Sequence, residues 1–192
     1  MKFYRYRFML KERYTSAVKI FNSRSLYLMM DSGPLSFEEE PFLLALAQST
    51  FKNSIKLVVD TESIIHFNPI FQKLLVSSPD ALASIYVLSF QPQAGLPLNC
   101  IEVAGTFNGD YGNLFKSLIL NFNLDLKIFI YRQPANKKLF ELLDLAAENN
   151  GDVFILPRDH FDRDASGNLR ALKEGCLPVF SLEELIELIA GH

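Results

Sequence analysis

Short, almost unbroken apolar runs alternate with longer segments of helical periodicity along this 192-residue chain, and that alternation restricts the fold more than any other feature. The runs lie at residues 3–9, 26–30, 55–60, 85–90, 126–131, 152–156 and 177–179, and most are dense in Ile, Leu, Val and Phe. A strand without polar alternation is covered on both faces, as in a parallel sheet between helical layers. The intervening segments carry helix signals. Ser36 with Glu39, and Ser181 with Glu184, have capping-box spacing, in which hydroxyl and carboxylate satisfy orphan amides at a helix start. Asn68-Pro69 offers an N-cap followed by proline at the first helical position. The helix expected over 137–149 meets Asn149-Asn150-Gly151, a good C-terminal stop. Residues 144–190 show the pattern compactly: helix, buried strand closed by Pro157, polar loop to Gly167, short helix ending at Gly175, last helix. Such alternation predicts an α/β fold in three layers, with a mainly parallel sheet sandwiched by helices. About half of the residues are apolar, enough for one full core. With no internal repeat and no long linker, residues 1–192 are expected to form a single domain.

Charge sets a limit on partners. The net charge is −3, with 19 basic and 22 acidic side chains, so no global field draws the chain to nucleic acid. Binding there would need a local basic patch. Cys100 and Cys176 have apolar neighbours and no metal-ligand spacing, which reads as buried thiols in a reducing cytoplasm. Residues 1–10 are basic and aromatic and lack the uninterrupted apolar core of a signal peptide. No apolar run approaches the roughly 20 residues that cross a bilayer. The expectation is a soluble, cytoplasmic protein without a membrane partner.

Several segments invite a chemical reading. Thr106-Phe107-Asn108-Gly109-Asp110-Tyr111-Gly112-Asn113 is the most glycine-dense loop and precedes an apolar helix, so its amides suit a phosphate, though Asn-Gly-Asp is also ordinary turn chemistry. Asp162, Asp164, Ser166 and Gly167 copy the start of a calcium loop. The twelfth position is Lys173 where a bidentate Glu is required, so a helix-capping turn is expected there and no metal. His160 follows the strand at 152–156, at the edge where α/β ligands collect, but has no nucleophile or metal partner. Lys2, Arg5, Arg7, Lys11 and Arg13 interleave with Tyr4, Tyr6 and Phe8, the mixture that single-stranded nucleic acid uses. In a strand, however, the tyrosines and arginines fall on opposite faces. No catalytic signature of the hydrolase, phosphate-loop or zinc-protease type occurs, so no enzyme and no cofactor are expected.

Gly-Asp-Val-Phe-Ile-Leu-Pro (151–157), Gly-Asn-Leu-Arg-Ala-Leu-Lys-Glu-Gly (167–175) and Leu-Pro-Val-Phe-Ser-Leu-Glu-Glu-Leu (177–185) together resemble the end of the Rossmann-like domain in the DNA-processing protein A (DprA, or Smf) family. Residues 126–149, 87–97, 55–69 and 26–33 follow the family's order and spacing. The resemblance implies a doubly wound Rossmann-like fold and a non-catalytic protein that binds single-stranded DNA, passes it to a RecA-type recombinase, and forms a homodimer. The departures fall where the chemistry should be. The opening strand, Phe3-Tyr4-Arg5-Tyr6-Arg7, lacks the family's glycine, and the second glycine loop keeps only Ser32-Gly33. The segment 107–116, which corresponds to the DNA-lining stretch, has no arginine. Phe90 and Arg132 stand where the family has glutamates. A decayed or rebuilt DNA or phosphate site is therefore implied at the carboxyl ends of the strands. Its cations would be Arg5, Arg7, Lys116, Arg158 and Arg170, and its backbone approach would come from Ser32, Gly33, Asn108 and Gly109. Two alternatives stay open: a structural or oligomerisation scaffold that has lost DNA binding, and a nucleotide-cleaving enzyme of the lysine-decarboxylase-like group, whose Pro-Gly-Gly-x-Gly-Thr is missing.

Overall fold

The computed structural model describes residues 5–9, 24–30, 33–89, 99–104, 127–158 and 165–191. In chain order these form β1 (Arg5–Met9), β2 (Ser25–Met30), α1 (Glu39–Lys52), β3 (Lys56–Asp60), α2 (Thr61–Ser77), a 3-10 turn (Pro79–Ser84), β4 (Ile85–Ser89) and β5 (Asn99–Ala104). There follow β6 (Lys127–Arg132), α3 (Lys137–Glu148), β7 (Asp152–Ile155), α4 (Ser166–Lys173), β8 (Leu177–Pro178) and α5 (Leu182–Ala190). The chain divides into two compact units, residues 1–25 with 32–106, and residues 26–31 with 107–192.

In the first unit β1 pairs with β5, β5 with β4, and β4 with β3, all parallel. In the second, β2 pairs with β6, β6 with β7, and β7 with β8, again all parallel. This is the α/β arrangement that the apolar runs predict, Rossmann-like as the resemblance implies. Leu26 to Met30 and Lys127 to Arg132 are buried at every position, which explains why neither strand alternates.

Two elements differ from expectation. The strand β5 has no apolar run to announce it, because Asn99 and Glu102 interrupt Ile101, Val103 and Ala104. Ladders to β1 on one side and β4 on the other make it a strand. The helix expected to begin at Asn68-Pro69 instead begins at Thr61, directly after β3, and carries Pro69 inside it. An interior proline costs about 3 kcal/mol. Phe67, Ile70, Phe71 and Leu74 are buried on that helix, and each such side chain contributes about 1.5–3 kcal/mol. Burial therefore outweighs the break. Phe67 and Phe71 also meet as tilted rings, 5.5 Å between centroids.

The caps are realised unevenly. At Ser181 the hydroxyl accepts from the Glu184 N–H at 3.1 Å, while the Glu184 carboxylate accepts from Phe180 N–H at 2.7 Å, one residue further out than a capping box requires. At Ser36 only the carboxylate half forms: Glu39 accepts from the Ser36 N–H at 2.8 Å. A turn intervenes, so Glu38 holds the N-cap position without a side-chain bond.

Three helices hand the chain to the next strand by one device. After α1, α3 and α4 a residue with positive φ follows the cap: Ser54 (58°), Asn150 (53°) and Gly175 (92°). In each case the next amide bonds back to the helix, Ile55 N–H to Thr50 O at 2.8 Å, Gly151 to Ala146 at 2.8 Å and Cys176 to Ala171 at 3.2 Å. These are Schellman closures, and they turn the chain into β3, β7 and β8 within one or two residues. At the second, the left-handed residue is Asn150, not the Gly151 that the sequence offers. A Cβ at Gly175 would touch nothing within 4 Å, so substitution there tests backbone strain alone. Gly175→Ala should lower stability by about 1–2 kcal/mol, and Ser54→Gly should raise it by about 0.5–1 kcal/mol, in urea unfolding followed by circular dichroism.

Candidate functional site

Parallel α/β sheets present ligands with the carboxyl ends of their strands, where ladder carbonyls run out of partners. In the second unit this edge is closed by the first turn of α4. Asn168, fully buried, accepts from the Gln133 N–H at 3.0 Å through Oδ1. Its Nδ2 donates to the carbonyls of Ile130 (3.3 Å), Tyr131 (3.0 Å) and Leu156 (2.9 Å). One amide thereby ties the ends of β6 and β7 together. Gly167 makes the approach possible: its N–H donates to Gln133 O at 2.8 Å, and a Cβ would lie 2.5 Å from that oxygen and from Leu139 Cδ2. The Ser166 hydroxyl accepts from the Ala135 N–H at 3.1 Å. Asn136 caps α3 by accepting from the Leu139 N–H at 3.0 Å.

The β2–β6 register slips here. Met29 faces Ile130 but Met30 faces Arg132, leaving Tyr131 as the extra residue of a bulge. Bulges bend a strand and re-aim its side chains. The Arg158 guanidinium lies over the Tyr131 ring, 4.5 Å from its centroid, within cation–π range. Tyr131 is buried and packs on Phe129, 6.2 Å between ring centroids. Arg132 and Gln133 are also buried, and the Gln133 Oε1 has no hydrogen-bond partner. The edge thus sets Arg158 over a ring, with a buried amide oxygen that has acceptor capacity to spare. The guanidinium suits a planar or anionic group, and the oxygen a donor.

No protein-family model matches the sequence, and no curated protein does. Solved structures do. DNA processing protein A from Helicobacter pylori, described for its single-stranded DNA binding mode, aligns with a TM-score of 0.62 over 90% of this chain and 83% of that one, at 15% identity. DprA from Streptococcus pneumoniae gives 0.53 over 88% of this chain and 62% of that one, at 12% identity. The fold is DprA-like. At identities this low the likeness is one of fold, and the DprA-like edge has to be judged by its own residues.

Of the residues that the sequence singles out, only some fall within the described region. Ser32, Asn108, Gly109, Lys116 and His160 lie outside it, as do Asp162 and Asp164. Gly33 is half-buried in the segment before α1. Arg5 opens β1 at its amino end, and Arg7 stands mid-strand in register with Glu102. Arg170 is exposed on α4 and pairs with Glu174 at 2.7 Å. Arg158 alone among the expected cations is described at the carboxyl edge of the second unit. Ser166 and Gly167 belong to α4 itself, whose N-cap position, Ala165, has no side-chain bond; the rest of the turn expected there, with Asp162 and Asp164, lies outside the described residues. Among the described residues no cluster of three His, Cys, Asp or Glu could hold a metal, and no helix is long and apolar enough to cross a membrane. Sequence reasoning missed Tyr131 and Gln133, which carry no local signal. Asn168 stood in a recognised run but served there only as a fold marker.

A cavity of about 260 Å³ opens at the opposite, amino edge of the same unit, lined by Asp144, Val153, Glu174 and Cys176 among others. The Cys176 thiol is free and half-buried. Burial, and after it the Glu174 carboxylate, pushes its pKa from 9.0 up to about 11. The folded state therefore holds its proton longer than the unfolded chain. The stability this contributes is complete below pH 9 and is lost as pH rises from 9 to 11. Iodoacetamide at pH 8, mapped by mass spectrometry, should label Cys176 at least tenfold more slowly in the folded protein than in urea, because the thiolate is the nucleophile.

Asn168→Leu keeps the volume and removes the side-chain partner of the Gln133 N–H and the Leu156 carbonyl, while Ile130 O keeps the Leu156 N–H, at about 1–3 kcal/mol for each group that water cannot reach. A loss of at least 3 kcal/mol is expected in urea unfolding, and Gly167→Ala should cost about 2–3 kcal/mol through overpacking.

Proposed function

We propose that this chain is a non-enzymatic, DprA-like DNA-processing protein that binds single-stranded DNA, or a nucleotide, at the carboxyl ends of its strands. The carrying observation is that a DprA-like fold here ends β6 in Arg132 and, three residues past β7, sets Arg158 over the bulged Tyr131. The H. pylori protein of the same fold has a single-stranded DNA binding mode, which supports the choice of ligand. Cations contact phosphate, and a ring-backed guanidinium suits a base. Arg158 belongs to the site on this reading. Arg7, Lys116 and Arg170 are proposed as further phosphate contacts, with Ser32, Gly33, Asn108 and Gly109 as points of close backbone approach, whereas Arg5, at the amino end of β1, stands away from the carboxyl edge. We take residues 1–192 as one domain that works in the cytoplasm as a homodimer and hands its DNA to a RecA-type recombinase, as the family resemblance implies. The Arg170–Glu174 ion pair, which occupies one of these cations, favours the second reading of a scaffold without DNA binding.

Fluorescence anisotropy with labelled oligo-dT over 20–200 mM salt tests this. Binding should tighten as salt falls, with a log–log slope of about −0.7 for each phosphate contacted. No binding at the lowest salt would leave the scaffold reading standing.

A further inference from the structure

The position of Arg158 is fixed from several sides. Leu156 donates its N–H to Ile130 O at 3.1 Å and its carbonyl accepts from Asn168 Nδ2 at 2.9 Å. Pro157 follows, with its φ restricted by the ring. Arg158 therefore starts from a clamped backbone and ends over Tyr131, a residue only 2% exposed whose ring meets Phe129 at a tilt. Arg158 is half-buried, so of the pair it is the member with surface left to solvent. A guanidinium is planar, delocalised and weakly hydrated, so it stacks well on π faces, whereas an ammonium offers only a point charge. Holding the plane in advance also removes the ordering cost that a free arginine would meet on binding.

We propose that Arg158 is a stacking plane for an unpaired nucleobase, with Tyr131 as its backing, and not a phosphate clamp. This rests on the single-stranded DNA reading above and names the group recognised at that edge. Specificity on this account is for an accessible base face, so unpaired strands are taken and duplex, whose bases are already stacked, is refused.

The test compares oligo-dT with an abasic oligonucleotide of equal length, which has the same phosphates and no bases, by anisotropy across a salt series. Wild-type protein should bind oligo-dT about 5–10-fold more tightly than the abasic strand. Arg158→Lys, which keeps the charge and loses the plane, should narrow that ratio to under twofold and leave the salt slope unchanged. A ratio that survives Arg158→Lys overturns the proposal. So does a slope that falls by about 0.7 in Arg158→Gln with the base preference intact, because that is the signature of a phosphate contact. Equal wild-type affinity for the two strands defeats stacking while leaving DNA binding in place. Binding to neither strand defeats the proposed function itself. Should Arg158→Lys fail to fold by circular dichroism, the wild-type ratio alone decides.

Discussion

A parallel strand finishes with carbonyls that its ladder cannot satisfy, and in the second unit the amide of Asn168 takes up that role for β6 and β7 together. Two N–H groups are shared among three carbonyls, and the amide oxygen receives Gln133 N–H from the loop beyond. All of this happens at a fully buried position, where an unmet polar group costs most. Gly167 is the geometric condition for it, since any Cβ would strike Gln133 O. Together these two residues turn a loose strand edge into a rigid shelf, and Arg158 is aimed from that shelf.

The amino ends of β3, β7 and β8 are organised by backbone conformation. Each Schellman closure places one residue in the left-handed region, so that a helix passes into the next strand without a long loop. Only one of the three uses glycine, and the other two rely on Ser54 and Asn150. Short, strained returns at the amino edge and a side-chain clamp at the carboxyl edge divide the work. The first keeps β3, β7 and β8 in register with their helices, and the second leaves the ligand-facing edge shaped by side chains. The carboxyl edge of the second unit carries Arg132 at the end of β6.

The arginines around this edge are held in different ways. Arg170 pairs with Glu174 on the surface of α4. Arg158 lies over the Tyr131 ring, a contact that keeps its charge.

Periodicity alone determined the class of this protein. Unbroken apolar strands such as 26–30 and 127–132 can only be buried on both faces, and that demands parallel pairing beneath helices. Local chemistry also told where α3 and α5 begin, because Asn136 and Ser181 cap within three residues of themselves. What only tertiary structure decided is long-range. The strand β5 exists because β1 and β4 flank it, and α2 runs through Pro69 because four apolar side chains on that helix are buried. Tyr131 meets Arg158 across 27 positions of chain through a bulge that no local rule announces. Contacts of that kind depend on register between strands, and register is a property of the assembled sheet, not of any segment within it.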